Sequence, residues 1–360
     1  MPATTRPRSQ SGLVIVAMRQ KILGGSWEPG ARIPIKPELC RQFGASDGTI
    51  QTALDRLATE GFLRSRGRLG TFVCDHPPHL SRIGLVFETP EYSNIWAETL
   101  AGVARQFVGD ESKQFKCYFD CSMADGMPSP GVRELEDDLV HGRLAGLVLT
   151  GSPLPLMGTE VLRRQGVARV CIGNSDLSTT RAIPTIEFAS PDSLAMKLFR
   201  DKGRKRLGLF TTFQHSGAQT DLTLQCANKH GLATHRRWVH YLEPHSASVG
   251  RPIAELLMSL PACDRPDAIY VNDDHLINHV ALGIADSGRR VPDELDLISH
   301  VNFPTHGCSA VPVTRLGIDN DALLRTAVEL LDLQLQRRQV PPVTILRHVF
   351  ESELTPVSVG

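Results

Sequence analysis

The sequence predicts an α/β protein in two parts. A small N-terminal winged helix-turn-helix domain precedes a two-lobed body built on doubly wound parallel sheets. Three observations carry this. Residues 31–73 place two short helical patterns, a tight turn and a basic, Gly-rich hairpin in immediate succession. From residue 82 onward, short apolar runs alternate with amphipathic helical patterns, the mark of strand–helix units on a parallel sheet. Charge divides along the same line. The chain is neutral overall, yet residues 1–76 hold eleven Lys/Arg against six Asp/Glu, so the head carries +5 and the remainder −5. A basic head on an acidic body fits a nucleic-acid-binding unit joined to something else.

At 360 residues the chain is too long for one compact core and suits two or three domains. No apolar run approaches the roughly 20 residues that span a bilayer. The basic start, MPATTRPRSQ, leads into no long apolar stretch, so no signal peptide is expected. The eight cysteines are scattered without a CxxC pair, which fits reduced thiols and a cytoplasmic location.

In the head, apolar residues at Val14, Ile15, Met18, Ile22 and Leu23 form a helical stripe that Gly24-Gly25 ends. Pro37 suits the first turn of a second helix through Phe43, with Leu39, Cys40 and Phe43 inward. Gly44 turns the chain. Ser46 or Asp47 caps a third helix to Glu60, burying Ile50, Ala53, Leu54 and Leu57, and Gly61 stops it. Residues 62–64 and 71–73 pair as a hairpin. A helix fits the major groove and offers its N-terminal residues to base edges, here Ser46, Asp47, Thr49, Ile50 and Gln51. Arg66 and Arg68 on the hairpin tip suit phosphates or the minor groove.

Residues 76–81, with Pro77-Pro78, read as a stiff extended spacer. In the body, buried parallel strands are expected at 83–87, 146–150, 167–172, 207–210, 268–271 and 295–299. Helices are expected near 96–108, 131–142, 155–166, 190–202, 217–231, 250–260, 275–288 and 320–338. That is too much for one sheet, so two lobes are expected.

Three signatures of catalysis are missing: there is no GxGxxG after a strand, no GxxxxGK[ST] and no HExxH. The expectation is a non-enzyme without cofactor. Asp273, Asp274, His275, Asn278 and His279 cluster, with His275 and His279 on one expected helix face. A polar strand-to-helix junction is the preferred reading there, and no metal is expected. In open α/β sheets such junctions are where ligands sit.

Head residues Gly30, Ile33, Pro34, Glu38, Leu39, Phe43, Gly44, Ser46, Thr49, Ile50, Ala53, Leu54, Leu57, Glu60, Gly61 and Gly70-Thr71-Phe72-Val73 resemble the DNA-binding domain of GntR-type transcription regulators. The resemblance implies a winged helix-turn-helix on operator DNA. Lys36, Ser46, Thr49, Gln51, Arg66, Arg68 and Thr71 are the expected contacts. The family usually has Arg after the turn serine and after the Thr-Val pair. Here Asp47 and Gln51 stand there, so the fold carries over and the usual operator does not.

The body has its own resemblance. Arg265-Pro266-Asp267-Ala268-Ile269 leading to Asn272-Asp273-Asp274, then Val291-Pro292-Asp293, is similar to the effector domain of the lac-repressor type, akin to type 1 periplasmic sugar-binding proteins. Residues 82–86, 145–149, 203–209 and 313–316 extend the match. This implies a small-molecule effector, a sugar or sugar derivative, held between the lobes, and a homodimer. Asp274 falls on the family's ligand-binding Asp. Gln219 falls where that family has an arginine, and Val301-Asn302 where it often has an acid. Asn302, Glu88, Tyr92 and Trp96 are further expected contacts, with Trp96 equally readable as a core residue.

The expected domains are 1–75 (DNA-binding), 76–81 (linker) and 82–360 (effector and dimerisation). Lobe N is expected at about 82–184 and 300–317, lobe C at about 185–299 and 318–360. The expected function is a repressor with a small-molecule effector. The alternative is a small-molecule sensor whose head has lost specific operator recognition, motivated by Asp47 and Gln51.

Overall fold

The computed structural model describes residues 9–90, 94–107, 112–124, 126–173, 183–212, 217–304 and 307–354. The head begins with α1 (Gln10–Leu23), capped by Ser9. Then come α2 (Lys36–Phe43), α3 (Asp47–Thr59), β1 (Leu63–Ser65) and β2 (Thr71–Val73). The α2–α3 turn is sharp because Gly44 takes a left-handed φ of 58°, open to glycine without a Cβ penalty. Of the two candidate caps, Ser46 serves: its hydroxyl accepts from the Thr49 amide. Val14, Met18, Ile22, Leu39, Ile50, Ala53, Leu57 and Phe62 close a single small core, as the 3.6-residue spacing requires. β1 and β2 pair antiparallel as the wing, Leu63 opposite Val73.

The expected extended spacer is instead a helical turn, α4 (Pro78–Ser81), packed between head and body. Proline is tolerated at a helix start because its missing amide needs no partner there. Pro77 and Pro78 are buried, and the Ser81 hydroxyl donates to the carbonyls of His76 and Pro77.

The body runs β3 (Arg82–Phe87), α5 (Ile95–Arg105), β4 (Gln114–Tyr118), β5 (Met123–Ala124), β6 (Met127–Pro128), α6 (Pro130–Val140), β7 (Gly146–Thr150), α7 (Glu160–Arg163), β8 (Ala168–Ile172) and β9 (Thr185–Phe188). It continues through α8 (Asp192–Asp201), β10 (Arg206–Thr212), α9 (Gly217–Lys229), β11 (Ala233–Leu242), α10 (Gly250–Ser259), β12 (Ala268–Val271), α11 (Ile277–Asp286), β13 (Asp296–Phe303) and β14 (Thr314–Asp319). It closes with α12 (Asn320–Leu335), β15 (Val343–Leu346) and β16 (Val349–Phe350). Lobe N has the sheet order β15-β9-β8-β7-β3-β4, all parallel, and lobe C has β11-β10-β12-β13-β14-β16, with β16 antiparallel.

Both sheets are doubly wound. In β3, Ile83, Leu85 and Phe87 meet α5 and α12 on one face, while Val86 meets α6 on the other. In lobe C, α10 and α11 cover one face, and α8 and α9 the other.

The C-terminal lobe division runs opposite to expectation. β14 extends the lobe C sheet, with Ile298 opposite Thr314. Leu323, Leu324, Ala327 and Leu331 of α12 pack instead on Ile83, Leu85 and Val170 of lobe N. β9, starting at the expected lobe C boundary, belongs to the lobe N sheet. The chain therefore crosses between lobes at 189–191, at 319–320 and at 347–348. The long helix expected at 155–166 reduces to a 3-10 turn and the short α7, because Gly158 adopts φ 84° and breaks the run. Among the described residues no helix is long and apolar enough to cross a membrane.

Candidate DNA interface and effector cleft

The N-terminal turn of α3 and the wing lie side by side on the head's outer surface. Ser46, Gln51, Arg66 and Arg68 are exposed, and Lys36, Thr49 and Thr71 are half-buried. Ser46 is partly spent on structure: its hydroxyl caps Thr49 N at 3.3 Å and meets the Thr49 hydroxyl at 2.9 Å. The Lys36 ammonium lies 3.1 Å from the Asp47 carboxylate. That pairing offsets the negative charge that would otherwise face a phosphate backbone. The Gln51 amide donates to Asp55 at 2.7 Å, which leaves its carbonyl as the outward group. The Arg66 guanidinium lies over the Phe72 ring at 4.9 Å, which stiffens the wing tip.

A concavity of about 380 Å³ separates α3 from the wing, lined by Lys36, Gln51, Thr71 and also Arg32. The motif reading missed Arg32. It is exposed, its backbone bridges to Phe72, and its Nε lies only 2.8 Å from where a side chain at Gly70 would start. Its cationic position just before the Ile33-Pro34 pair was the available signal.

At the lobe interface, Asp274 and Asn302 come together: the Asn302 amide donates to the Asp274 carboxylate at 2.6 Å. Burial pushes the Asp274 carboxyl above its ordinary range, against the Asn302 hydrogen bond. Next to it, His275 Nδ1 lies 2.8 Å from Asp273 and 3.5 Å from Asp274. The hydrogen bond to Asp273 raises the imidazole above its usual value, more than burial lowers it. His275 Nε2 faces the backbone amide of Ile95, the first residue of α5, at 3.5 Å across the lobes. A cavity of about 190 Å³ opens here, lined by Ile95, Thr99, Asp274, Asn302 and Arg315.

Gln219 does not join this group. It lines a separate hinge-side cavity of about 650 Å³ with Asp192, Tyr270, Asn272, His300 and His348. Glu88 is exposed just past β3. Trp96 packs against the lobe N core, yet its buried indole N–H finds no acceptor among the described residues. Tyr92 lies outside the described residues. The expected His275–His279 helix face does not form, because α11 starts at Ile277. Asp273, Asp274 and His275 do offer ligand atoms within 4.8 Å of one another. Within the cluster Asp273 is hydrogen-bonded to His275, while Asp274 accepts from Asn302.

Comparison with known proteins decides between the possible readings of this pairing of sites. Residues 12–73 match the family described as bacterial regulatory proteins, gntR family. Residues 196–351 match the periplasmic binding protein-like domain. The arabinose metabolism transcriptional repressor of Geobacillus stearothermophilus is 22% identical over 345 residues, 89% of this chain and 90% of that one. The histidine utilization repressor of Klebsiella aerogenes is 46% identical over 59 residues, 16% of this chain and 24% of that one. A LacI-family regulatory protein from Chloroflexus aggregans shares the body's fold, with a TM-score of 0.57 at 17% identity over 75% of this chain and 96% of that one. The Escherichia coli transcriptional repressor ascG does so at 0.57 and 13%, over 75% and 97%.

The chain is a DNA-binding transcription regulator. Its head matches the gntR family and its body the periplasmic binding protein-like domain, with a fold like that of LacI-family regulators. In this regulator Asp47 and Gln51, at the positions expected to face bases, are each tied to a neighbouring side chain. The residue at 219 offers an amide and no guanidinium fork, so bidentate grip on a carboxylate is not built in there.

Proposed function

We propose that this regulator is a repressor that binds a near-palindromic operator as a homodimer and senses a small polyhydroxylated ligand between its lobes. The observation that carries the DNA half is the Lys36–Asp47 pair. It offsets the one acidic group at the start of α3 and leaves Arg32, Arg66 and Arg68 to face the backbone. Gln51, with its carbonyl outward, and Thr49 are the base-reading side chains, and the cations supply sequence-independent grip. The likeness to an arabinose repressor and the Asp274–Asn302 pair support a sugar-like effector. A carboxylate and an amide, side by side and largely out of water, suit hydroxyl groups. Two-fold symmetry of the dimer would be mirrored in the operator.

The test is selection of duplexes from a random pool, followed by anisotropy titration over a salt series. The selected duplex should bind at least about a thousandfold more tightly than scrambled DNA. Arg66→Ala should flatten the salt slope by about 0.9 for each phosphate lost. Equal affinity for selected and scrambled duplexes would overturn the repressor reading in favour of a sensor with a non-reading head. A melting-temperature screen against pentoses, hexoses and their acids tests the ligand class.

A further inference from the structure

We propose that Arg143, on the effector body, is a positioning residue for the DNA-reading head: through Glu60 it clamps the C-terminal end of α3 to lobe N, so that head and lobe move as one piece. This rests on the reading of the head as a DNA-binding domain.

Glu60 is the C-cap of α3 and is 7% exposed. Its carboxylate accepts from Arg19 of α1 at 2.5 Å, from Arg56 at 2.8 Å and from Arg143 at 3.1 Å. Two of these hold the head together, and the third comes from the body. Arg143 is itself 7% exposed and pairs on its other side with Asp137 and with Asp138, the latter at 2.6 Å. Asp138 accepts from the Lys116 ammonium at 2.7 Å and from the Tyr118 hydroxyl, both on β4. An unbroken chain of charge-assisted contacts thus runs from the recognition helix into the edge strand of the lobe N sheet.

Burial alone would push the Glu60 carboxyl up. The hydrogen bonds from Arg19 and Arg56, with the charges of Arg19 and Arg143, outweigh it and hold the group below its ordinary range. A buried carboxylate with three guanidinium partners is satisfied in one geometry only, which is what a clamp needs.

Apolar contacts fix the same junction. Leu23, ending α1, packs on the turn at Gly142, where an added Cβ would lie 2.8 Å from its Cδ1. Phe62 stacks on His79 of α4 at 6.0 Å between ring centroids. α3 offers its N-terminal turn to DNA and is held to the body at its opposite end. The angle of the reading turn is therefore set by lobe N, and any change in lobe N's angle reaches DNA as a change in the separation of two heads.

The experiment uses the full chain and the duplex it selects, rebuilt with its half-sites moved apart by about half a helical turn, roughly five base pairs. The unaltered protein should lose about tenfold or more in affinity on that shift. Arg143→Ala should lose less than about threefold, while its affinity for a single half-site stays within about twofold. Arg143→Lys keeps the charge without the fork and should fall between. Melting temperature and circular dichroism are followed for both variants. A purely structural role would lower melting temperature and all affinities together and leave the spacing dependence intact, which overturns the proposal. Selection of a lone half-site also overturns it, since one head has no spacing to hold. Failure to select any duplex would remove the DNA-binding reading beneath it.

Discussion

Among the acidic residues of this regulator that lie largely out of water, Glu60 at the head–body junction and Asp274 at the lobe interface have opposite surroundings. Glu60 meets three arginines and is held below its ordinary titration range. Asp274 meets an amide, a neighbouring carboxylate and an imidazole, and burial holds it above its range. The first site is electrostatically complete within the chain. The second keeps a largely desolvated carboxylate whose cationic neighbour is an imidazole 3.5 Å away, with no arginine paired to it among the described residues, and an incoming hydrogen-bond donor gains there. The difference separates a structural joint from a group poised for ligand.

The largest effect that would break this contrast is at Glu60. Glu60→Gln keeps the shape and removes the charge, leaving Arg19 buried with a 4% exposed side chain and no counter-ion. Removing one partner of a buried pair costs about 3–5 kcal/mol. The head should therefore melt separately and earlier than the body in calorimetry. A single transition at unchanged temperature would mean that the arginines are solvated and the joint is loose.

A smaller effect is expected at Asp274. Asp274→Asn removes the desolvated charge at constant volume. Asn302 Oδ1 is buried and has no partner among the described residues, so turning that amide lets it accept from the new one. Stability should change by less than about 1 kcal/mol, in either direction. Binding of whichever sugar raises the melting temperature of the unaltered protein should be lost. Destabilisation as large as that at Glu60 would make Asp274 a second joint.

These two sites were not equally legible. Glu60 stood out in the sequence only as part of the Glu-Gly end of a helix. Its role as a joint needed Arg143, which lies far along the chain and in the other domain. Nothing local marks such a pair. The strand-to-helix junction at Asp273–His275 was visible because apolar β12 runs straight into a polar cluster. Most of the architecture could be read from period: the central strands are unbroken apolar runs, and the helices carry full stripes. The strands missed were β4, β5, β6, β9, β11, β14, β15 and β16. β11 reads Ala-Thr-His-Arg-Arg-Trp-Val-His-Tyr-Leu, with one face open to water at the sheet edge, so no apolar run announces it. The lobe assignment of α12 was also illegible. Its apolar face would suit either sheet, and only the crossing at 319–320 decides which.

The smallest effect sharpens the comparison through pH, because the two sites respond with opposite sign. Glu60 titrates below its ordinary 4.5 when folded, so its contribution is complete above that value and is lost as pH falls through the folded one. His275 titrates above its ordinary 6.5, mainly through its hydrogen bond to Asp273, so its contribution is complete below 6.5 and is lost as pH rises through the folded value. Asp274 acts in the same direction as His275. Its raised value means that stability falls as pH rises from 3.8 through the folded value. Acid should thus loosen the joint, and base the cleft. Hydrogen exchange, corrected for its intrinsic pH dependence, reads both. Protection at the ends of α1 and α3 should decline below about pH 4.5 and stay flat from 6 to 9. Protection around residues 272–276 should decline over that upper range by a factor of a few. In His275→Gln the upper decline should vanish while the acid response of the joint persists. Parallel responses at the two sites would mean that joint and cleft open as one unit, and the contrast between Glu60 and Asp274 would then carry no functional meaning.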